Sequence, residues 1–154
     1  MRIIVDDLSG SEVIELLEAH VAEMLENSPE DSMHALDVAE LRKPEFTFWS
    51  VWEDDVLAGC GAVKEHDPSF GEIKSMRMTT AFRGRGVASM LLRHMMDEAK
   101  ARGYTRLSLE TGSGEFYLPA VRLYERHGFE HCGPFADYTN DPHSVFMTRE
   151  LRIN

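Results

Sequence analysis

The chain has 154 residues, 43% of them hydrophobic, which suits one packed domain over residues 1–154. A formal net charge of -11 argues against nucleic acid and anionic membranes as partners, because clustered Lys and Arg hold both. Two isolated cysteines, an acidic beginning unlike a signal peptide and the lack of a membrane-length apolar run together predict a cytoplasmic protein.

The first half of the chain predicts four strands and two helices. In chain order these are a strand at 2–5, a helix capped by Ser9 or Ser11, a short helix at 35–41, a hairpin of strands at 46–52 and 56–63, and a strand at 72–78. Apolar residues recur at helical spacing in the first helix, whereas β-branched and aromatic residues dominate the strands.

The second half predicts two helices and two strands. In chain order it contains a loop at 79–86, a long helix at 87–102, a strand at 107–110, a helix at 119–127 and a strand at 144–151. No repeat or linker separates these elements. The predicted fold class is α+β, with a mixed, mostly antiparallel twisted sheet of six to seven strands and flanking helices.

Positive charge is concentrated in one window of this acidic chain. No Asp or Glu occurs between Glu72 and Asp97, and the centre of the window is Arg83-Gly84-Arg85-Gly86, where a loop meets a helix. The first N–H groups of a helix have no internal partner, the helix dipole adds positive charge, and glycine lets a phosphate approach the backbone. The window therefore predicts a phosphate-binding loop rather than a turn with solvated arginines.

Two other phosphate-binding motifs fit this window less well. Gly84-x-Gly86-x-x-Ser89 lacks the third glycine of the dinucleotide-binding fingerprint, and residues 79–82 separate the strand from the glycines. The first half of the chain also lacks the alternating strands and helices of a doubly wound sheet. A nicotinamide-dinucleotide protein is thus a distant alternative, and a P-loop is excluded because no Gly-Lys-Ser or Gly-Lys-Thr occurs.

The segment Arg83-x-x-Gly86-x-Ala88 resembles the pyrophosphate loop of the GNAT N-acetyltransferase superfamily. Residues 72–78, 107–112 and 120–129 are similar to further elements of that family and occur in the same order. The resemblance covers nearly the whole chain and is weakest before residue 46. It implies a GNAT-type domain that transfers an acetyl group from acetyl-CoA to an amine by direct attack on the thioester.

The resemblance also implies which residues hold acetyl-CoA. Main-chain groups at the end of the 72–78 strand would contact the pantetheine arm, and N–H groups of the glycine loop would hold the pyrophosphate. The implied cofactor-binding residues are Met76, Arg77, Met78, Arg83, Gly84, Arg85, Gly86, Val87, Ala88, Ser89 and Tyr117. Tyr117 is a departure, because it stands where the family often has an amide side chain.

Acetyl transfer needs a proton acceptor for the amine and a proton donor for the departing thiolate. Tyr124 aligns with the tyrosine that acts as general acid in many GNAT enzymes, although its helical position also suits a core residue. Glu72 matches the position of the general base in histone-acetylating members, or is a solvated carboxylate at a strand end. Glu110, at the end of the neighbouring strand, and a water chain are the competing proton acceptors.

No metal is expected, since Gly128 breaks the helical face that His127 and His131 would have to share. The expected partner is a small-molecule or peptidyl amine, and the resemblance allows a homodimer. A second class of function also fits, namely a GNAT-like module that binds acyl-CoA without turnover. An available acid and carboxylate, Tyr124 with Glu72 or Glu110, favour the enzyme.

The charge of the chain suggests the type of amine. The segments expected to face the acceptor carry five carboxylates, those of Glu26, Glu30, Asp31, Asp137 and Asp141. Such a surface attracts cations and slows anions. The sequence therefore predicts a cationic acceptor in preference to an acidic amino acid.

Overall fold

The computed structural model describes residues 1–29 and 37–151, which form one seven-stranded sheet with helices on both faces. The strands are β1 (Arg2–Val5), β2 (Phe46–Glu53), β3 (Val56–Asp67), β4 (Phe70–Met78), β5 (Arg106–Gly112), β6 (Glu130–Cys132) and β7 (Ser144–Glu150). The helices are α1 (Ser11–Asn27), α2 (Val38–Leu41), α3 (Val87–Ala101) and α4 (Leu118–Arg126). Two 3-10 turns, Thr80–Phe82 and Glu115–Tyr117, precede α3 and α4.

The sheet splays open at its centre. Its strand order is β1-β2-β3-β4-β5-β7-β6, and all neighbouring pairs are antiparallel except β4 with β5. The two parallel strands pair only from Phe70 with Arg106 to Ile73 with Leu109. Both strands continue beyond that point without pairing to each other, so a gap opens between their C-terminal halves.

Different helices cover the two faces of the sheet. On one face, α1 and α2 contribute Leu17 and Leu41 to a core that includes Cys60 and Ala62 of β3. On the other face, α3 supplies a buried stripe at helical spacing, made of Val87, Leu91, Leu92, Met95, Met96 and Ala99. Burying each large apolar side chain contributes about 1.5–3 kcal/mol, so this stripe fixes α3 firmly against the sheet.

β4 contains a bulge beside the gap. Cys60 of β3 pairs with Arg77 and Ala62 pairs with Lys74, so three steps along β4 match two along β3. Ser75 takes up the extra residue with a left-handed backbone, at φ 55°. Because Cys60 and Ala62 both belong to the core under α1, Lys74 and Arg77 face α1 together.

The predicted sheet of six to seven strands with flanking helices is confirmed. The unpredicted strand is β6, whose three residues are all exposed and therefore carry no burial pattern. The serine cap of α1 is wrong, because Gly10 is the N-cap and the Ser9 hydroxyl donates to Asp7 instead. Of the short helix predicted at 35–41, residues 35 and 36 lie outside the described residues, and the remainder contains α2.

Candidate active site

A cavity of about 570 Å³ occupies the gap between β4 and β5. The diverging ends of the two strands form its central walls, and the start of α3 and one side of α4 line it on the α3 face of the sheet. His20, Glu23 and Met24 of α1 line it on the opposite face. The cavity therefore reaches both faces of the sheet, so that two ligands can enter from opposite sides and meet in the gap.

The predicted site residues come together on this cavity, with two exceptions. Those on its wall are Met76, Arg77, Met78, Arg83, Gly84, Gly86, Val87, Ala88, Ser89, Tyr117 and Tyr124. The exceptions are Arg85 and Glu72. The Arg85 guanidinium stacks over the Phe82 ring, 4.6 Å from its centroid, and lies 3.8 Å from Glu53.

The glycine loop leaves open space at the start of α3. Gly84 and Gly86 have left-handed backbones, at φ 74° and 81°, and a Cβ at either position would meet no atom within 4 Å. Gly86 is the N-cap of α3, and no side chain in the described part of the chain caps this terminus. Open space, unused first-turn N–H groups and the nearby Arg83 fit a phosphate group, as the sequence predicts.

Tyr124 of α4 lies on the wall beside β4. Its side chain is buried, and its hydroxyl donates to the Met76 sulfur at 3.7 Å. Burial raises the pKa of Tyr124, so the phenol keeps its proton throughout the neutral range. A protonated hydroxyl therefore stands close to the strand that borders the gap.

Glu72 lies outside the cavity, in a buried polar network. Its carboxylate is 2.8 Å from His66 Nε2, accepts a 2.6 Å hydrogen bond from the Tyr138 hydroxyl and lies 3.3 Å from Lys74 Nζ. Burial alone raises the pKa of Glu72, but the bond to His66, the charge of Lys74 and the bond from Tyr138 outweigh it and lower the pKa. Both carboxylate oxygens are thus engaged, and Lys74 also donates to Tyr138 at 2.8 Å.

Glu110 and Tyr117 lie on the cavity wall formed by β5 and the turn after it. Glu110 is half-buried, one residue beyond the last pair of β4 with β5. Tyr117 packs directly over Gly112, where a Cβ would lie only 2.1 Å from its ring, and its hydroxyl bonds to Ser28 after α1 at 2.5 Å. The phenol that replaces the usual amide therefore joins β5 to the end of α1.

The wall on the α1 face carries a charge cluster that the sequence did not reveal. Glu23 accepts hydrogen bonds from both terminal nitrogens of Arg77, at 3.1 and 2.7 Å, and lies 3.6 Å from Arg83. The bond from Arg77 is the main reason why the pKa of Glu23 is lowered. His20, one turn away, has its pKa lowered to about 4, first by burial and then by the charge of Arg77, so its imidazole is neutral at pH 7.

Helical spacing places His20 and Glu23 on one face of α1, and this shared face can be predicted from the sequence. Nothing in the sequence shows that this face meets β4, because the contact joins residues 54 positions apart. None of Glu26, Asp137 and Asp141 lines the cavity, whereas Glu30 and Asp31 lie outside the described residues. The described wall instead carries four cationic side chains, Lys74, Arg77, Arg83 and Arg126, and two carboxylates, Glu23 and Glu110.

The described ranges, 1–29 and 37–151, lack a membrane-spanning helix and a metal-binding cluster. No helix there is long and apolar enough to cross a bilayer. No group of His, Cys, Asp and Glu side chains there has an arrangement that could hold a metal ion.

Comparison with known proteins gives consistent matches. Residues 13–129 match the model of the Acetyltransferase (GNAT) family. The uncharacterized N-acetyltransferase YsnE of Bacillus subtilis is 54% identical over 151 residues, covering 98% of this chain and all of that protein.

Solved structures share the fold over nearly the full chain. A crystal structure of a protein from Klebsiella pneumoniae superposes with a TM-score of 0.83 at 28% identity, covering 98% of this chain and 97% of the other. A Bacillus subtilis acetyltransferase crystallised with CoA has a TM-score of 0.70 at 18% identity, with coverage of 98% and 99%. With its splayed sheet, its glycine loop and these matches, the chain belongs to the GNAT acetyltransferase family.

Proposed function

We propose that this N-acetyltransferase binds acetyl-CoA from the α3 face of the cavity and transfers the acetyl group to an amine that enters from the α1 face. The observation that carries this proposal is the cavity itself, which joins the glycine loop, Tyr124 and Glu110 in one space of about 570 Å³. The bound thioester supplies the carbonyl carbon that the amine attacks.

At the cofactor end of the cavity, backbone N–H groups bind the negative charge. N–H groups from Gly84 to Ser89 at the start of α3 bind the pyrophosphate, and Arg83 adds a full positive charge. Main-chain groups of β4 beside the gap, from Met76 to Met78, orient the pantetheine arm. The left-handed Gly86 and the uncapped helix terminus support this assignment.

Tyr124 acts as the proton donor to the departing thiolate. It lines the cavity, keeps its proton at neutral pH and is bonded only weakly, to a methionine sulfur. A weak bond is readily exchanged for a stronger one to a developing negative charge. Since its pKa is raised, its main contribution is a hydrogen bond that strengthens as charge builds up on sulfur.

Glu110 is the better candidate for the proton acceptor, directly or through water. It lines the cavity beyond the last β4–β5 pair, while the Glu72 carboxylate is 2% exposed and bonded to His66 and Tyr138. Glu72 instead positions Lys74, whose Nζ lies 3.3 Å from the Glu72 carboxylate. Lys74 in turn lines the cavity wall.

The site of action is the cytoplasm, a proposal supported by the free thiols of Cys60 and Cys132. The acceptor is a small-molecule or peptidyl amine. A module that binds acyl-CoA without turnover is the competing function. The presence of Tyr124 and Glu110 on one cavity wall favours the enzyme.

Release of free thiol from acetyl-CoA, measured over a panel of amines, tests the proposal. An amine-dependent rate well above hydrolysis is expected. Tight CoA binding with no turnover of any amine would establish the binding module instead.

A further inference from the structure

Resting on the proposed function, we infer that the acceptor is an amino-acid-like zwitterion, whose carboxylate binds Arg77 while its amine lies toward Glu110. The two residues stand on opposite sides of the gap, Arg77 on β4 and Glu110 on β5. A molecule bound across the gap therefore presents its two ends to opposite charges.

Arg77 has the features of an anion-binding residue. Its side chain is 9% exposed and lines the cavity, and its position is fixed by the two hydrogen bonds to Glu23. A guanidinium has five N–H donors in a rigid plane, and Glu23 uses only its terminal nitrogens. A fixed, planar cation of this kind recognises a carboxylate with good geometry.

The third nitrogen of Arg77 is an unsatisfied donor. Among the described residues, its Nε is buried and has no hydrogen-bond partner. A buried polar group without a partner costs about 1–3 kcal/mol. A carboxylate bound along the Nε edge would recover this cost after a small shift of the side chain, whereas a simple amine would not.

The balance of charge at the acceptor end also favours a zwitterion. The described wall on the α1 side and the gap carries three cations, Lys74, Arg77 and Arg83. Three carboxylates balance them, Glu23 and Glu110 on the wall and Glu72 3.3 Å from Lys74. His20 adds no charge at neutral pH. A polycation would leave its extra charge unmatched in such a site, while one ammonium and one carboxylate match it.

This inference differs from the cationic acceptor predicted from the sequence, because a zwitterion carries no net charge. That prediction relied on five carboxylates, and the three within the described residues lie off the cavity wall. Charges on the remote surface act weakly beyond a Debye length of ~8 Å in physiological salt. The charges on the wall are therefore the better guide to the acceptor.

The first experiment compares matched acceptors. Each of the twenty common amino acids is assayed beside its α-amide and its decarboxylated amine, with thiol release from acetyl-CoA as the signal. The best amino acid should exceed both of its partners by at least ~10-fold in kcat/KM, because an acceptor without the carboxylate leaves the Arg77 Nε without a hydrogen-bond partner. Equal or faster reaction of the amides and amines would overturn the inference.

The second experiment changes the anion site. The double variant Glu23→Gln/Arg77→Gln keeps a hydrogen-bonded pair of similar size, and it should lose the preference for the carboxylate by raising KM. Arg77→Lys should retain part of the preference. The control is Arg2→Gln on β1, exposed and remote from the cavity, which should behave as wild type.

A binding measurement that needs no turnover distinguishes failure of the enzyme proposal from failure of the Arg77 assignment. In the presence of CoA, the best amino acid should raise the Tm of the wild type but not that of the double variant. If no amine is turned over, the enzyme proposal fails. If amines are turned over without a carboxylate preference and amino acids give no Tm shift, only the assignment of Arg77 fails.

Discussion

The two ends of the cavity are built in different ways. At the cofactor end, seven consecutive residues, 83–89, turn a loop into α3 and present backbone N–H groups and two left-handed glycines. At the acceptor end, side chains of His20 and Glu23 on α1 meet Arg77 on β4, across 54 positions of sequence. One end depends on local conformation and the other on tertiary packing.

This difference has a physical consequence for specificity. A backbone site offers the same N–H groups whatever the neighbouring side chains are, so it suits a ligand that does not change. A side-chain site changes with single substitutions on either element, so it suits an acceptor that differs among related enzymes. Variants of the two ends should therefore separate binding of acetyl-CoA from selection of the amine.

The largest effect is expected at Gly86. Valine there must leave the left-handed region or carry strain, and its branched side chain occupies the open space above the first turn of α3. CoA affinity should fall by roughly 10²-fold or more, because the pyrophosphate loses its backbone contacts. Calorimetry with CoA measures this loss.

The matched control for this variant is Gly10→Val. Gly10 is also a helix N-cap, and a Cβ added there would meet no atom within 4 Å. Its φ is -81°, however, and it lies off the cavity. Unchanged CoA affinity is expected there. A similar loss in both variants would show that the effect comes from helix stability rather than from the anion site.

Tyr124 lies between the two ends, and its loss should leave both ligands bound. Tyr124→Phe keeps the ring and its edge contact with Phe129 but removes the proton. We expect kcat to fall by roughly 10²-fold while CoA affinity stays similar. A normal kcat would make Tyr124 a core residue only.

The two carboxylates near the gap should respond in opposite ways. Glu110→Gln should lower kcat by roughly 10-fold at neutral pH and recover part of it at high pH, where the amine loses its proton unaided. Glu72→Gln should mainly lower stability, by on the order of 2–4 kcal/mol, because Lys74 loses the buried carboxylate 3.3 Å away, one of its partners. Parallel pH–rate profiles and urea melts of the two variants measure both effects.

A further pH test of Glu72 uses the wild type. Because its folded pKa lies below the usual value, its contribution to stability is present above about pH 4.5 and is lost as the pH falls through the folded pKa. The Glu72→Gln variant should lose stability less steeply in that acidic range. Equal slopes would assign the acid sensitivity to other carboxylates.

The effect that should matter least for turnover concerns the pH dependence of stability at His20, at the acceptor end alone. Its folded pKa is lowered from 6.5 to about 4, so the unfolded chain binds the proton more tightly and stability decreases as the pH falls between these values. His20→Gln should flatten this slope, by up to about 3 kcal/mol over the interval, at about 1.4 kcal/mol for each pKa unit. Urea melts from pH 7 to pH 4 measure it, and NMR titration gives the imidazole pKa directly.

The glycine loop, residues 83–89, was predictable from the sequence, whereas the contact between α1 and β4 was not. Charge and glycine spacing point to residues 83–89 because the proposed anion site is contiguous in sequence. Tyr124 and Tyr117 follow from the resemblance, but the bond of Tyr117 to Ser28 depends on where α1 ends. The burial of Glu72 also escaped prediction, since it needs Tyr138 from a distant loop and His66 from β3.

In the fold, too, elements with a strong local pattern were predictable and those that depend on tertiary contacts were not. Strong periodicity predicts α3 and the central strands within a few residues, because one face of each is buried. β6 has three exposed residues and is stabilised by its pairing with β7. Its sequence therefore has no alternation of buried and exposed residues that would predict a strand.

The bulge in β4 decides which of its side chains share a face. Side chains along a strand alternate between faces, and the extra residue at Ser75 shifts that alternation by one position in the sequence. Deleting this one residue would restore plain alternation, with Met76 toward α3 and Arg77 still opposite Cys60 on the α1 face. Counted without the bulge, Lys74 and Arg77 would fall on opposite faces. Wall residues of related enzymes therefore have to be compared by their partners on β3, and not by their spacing along β4.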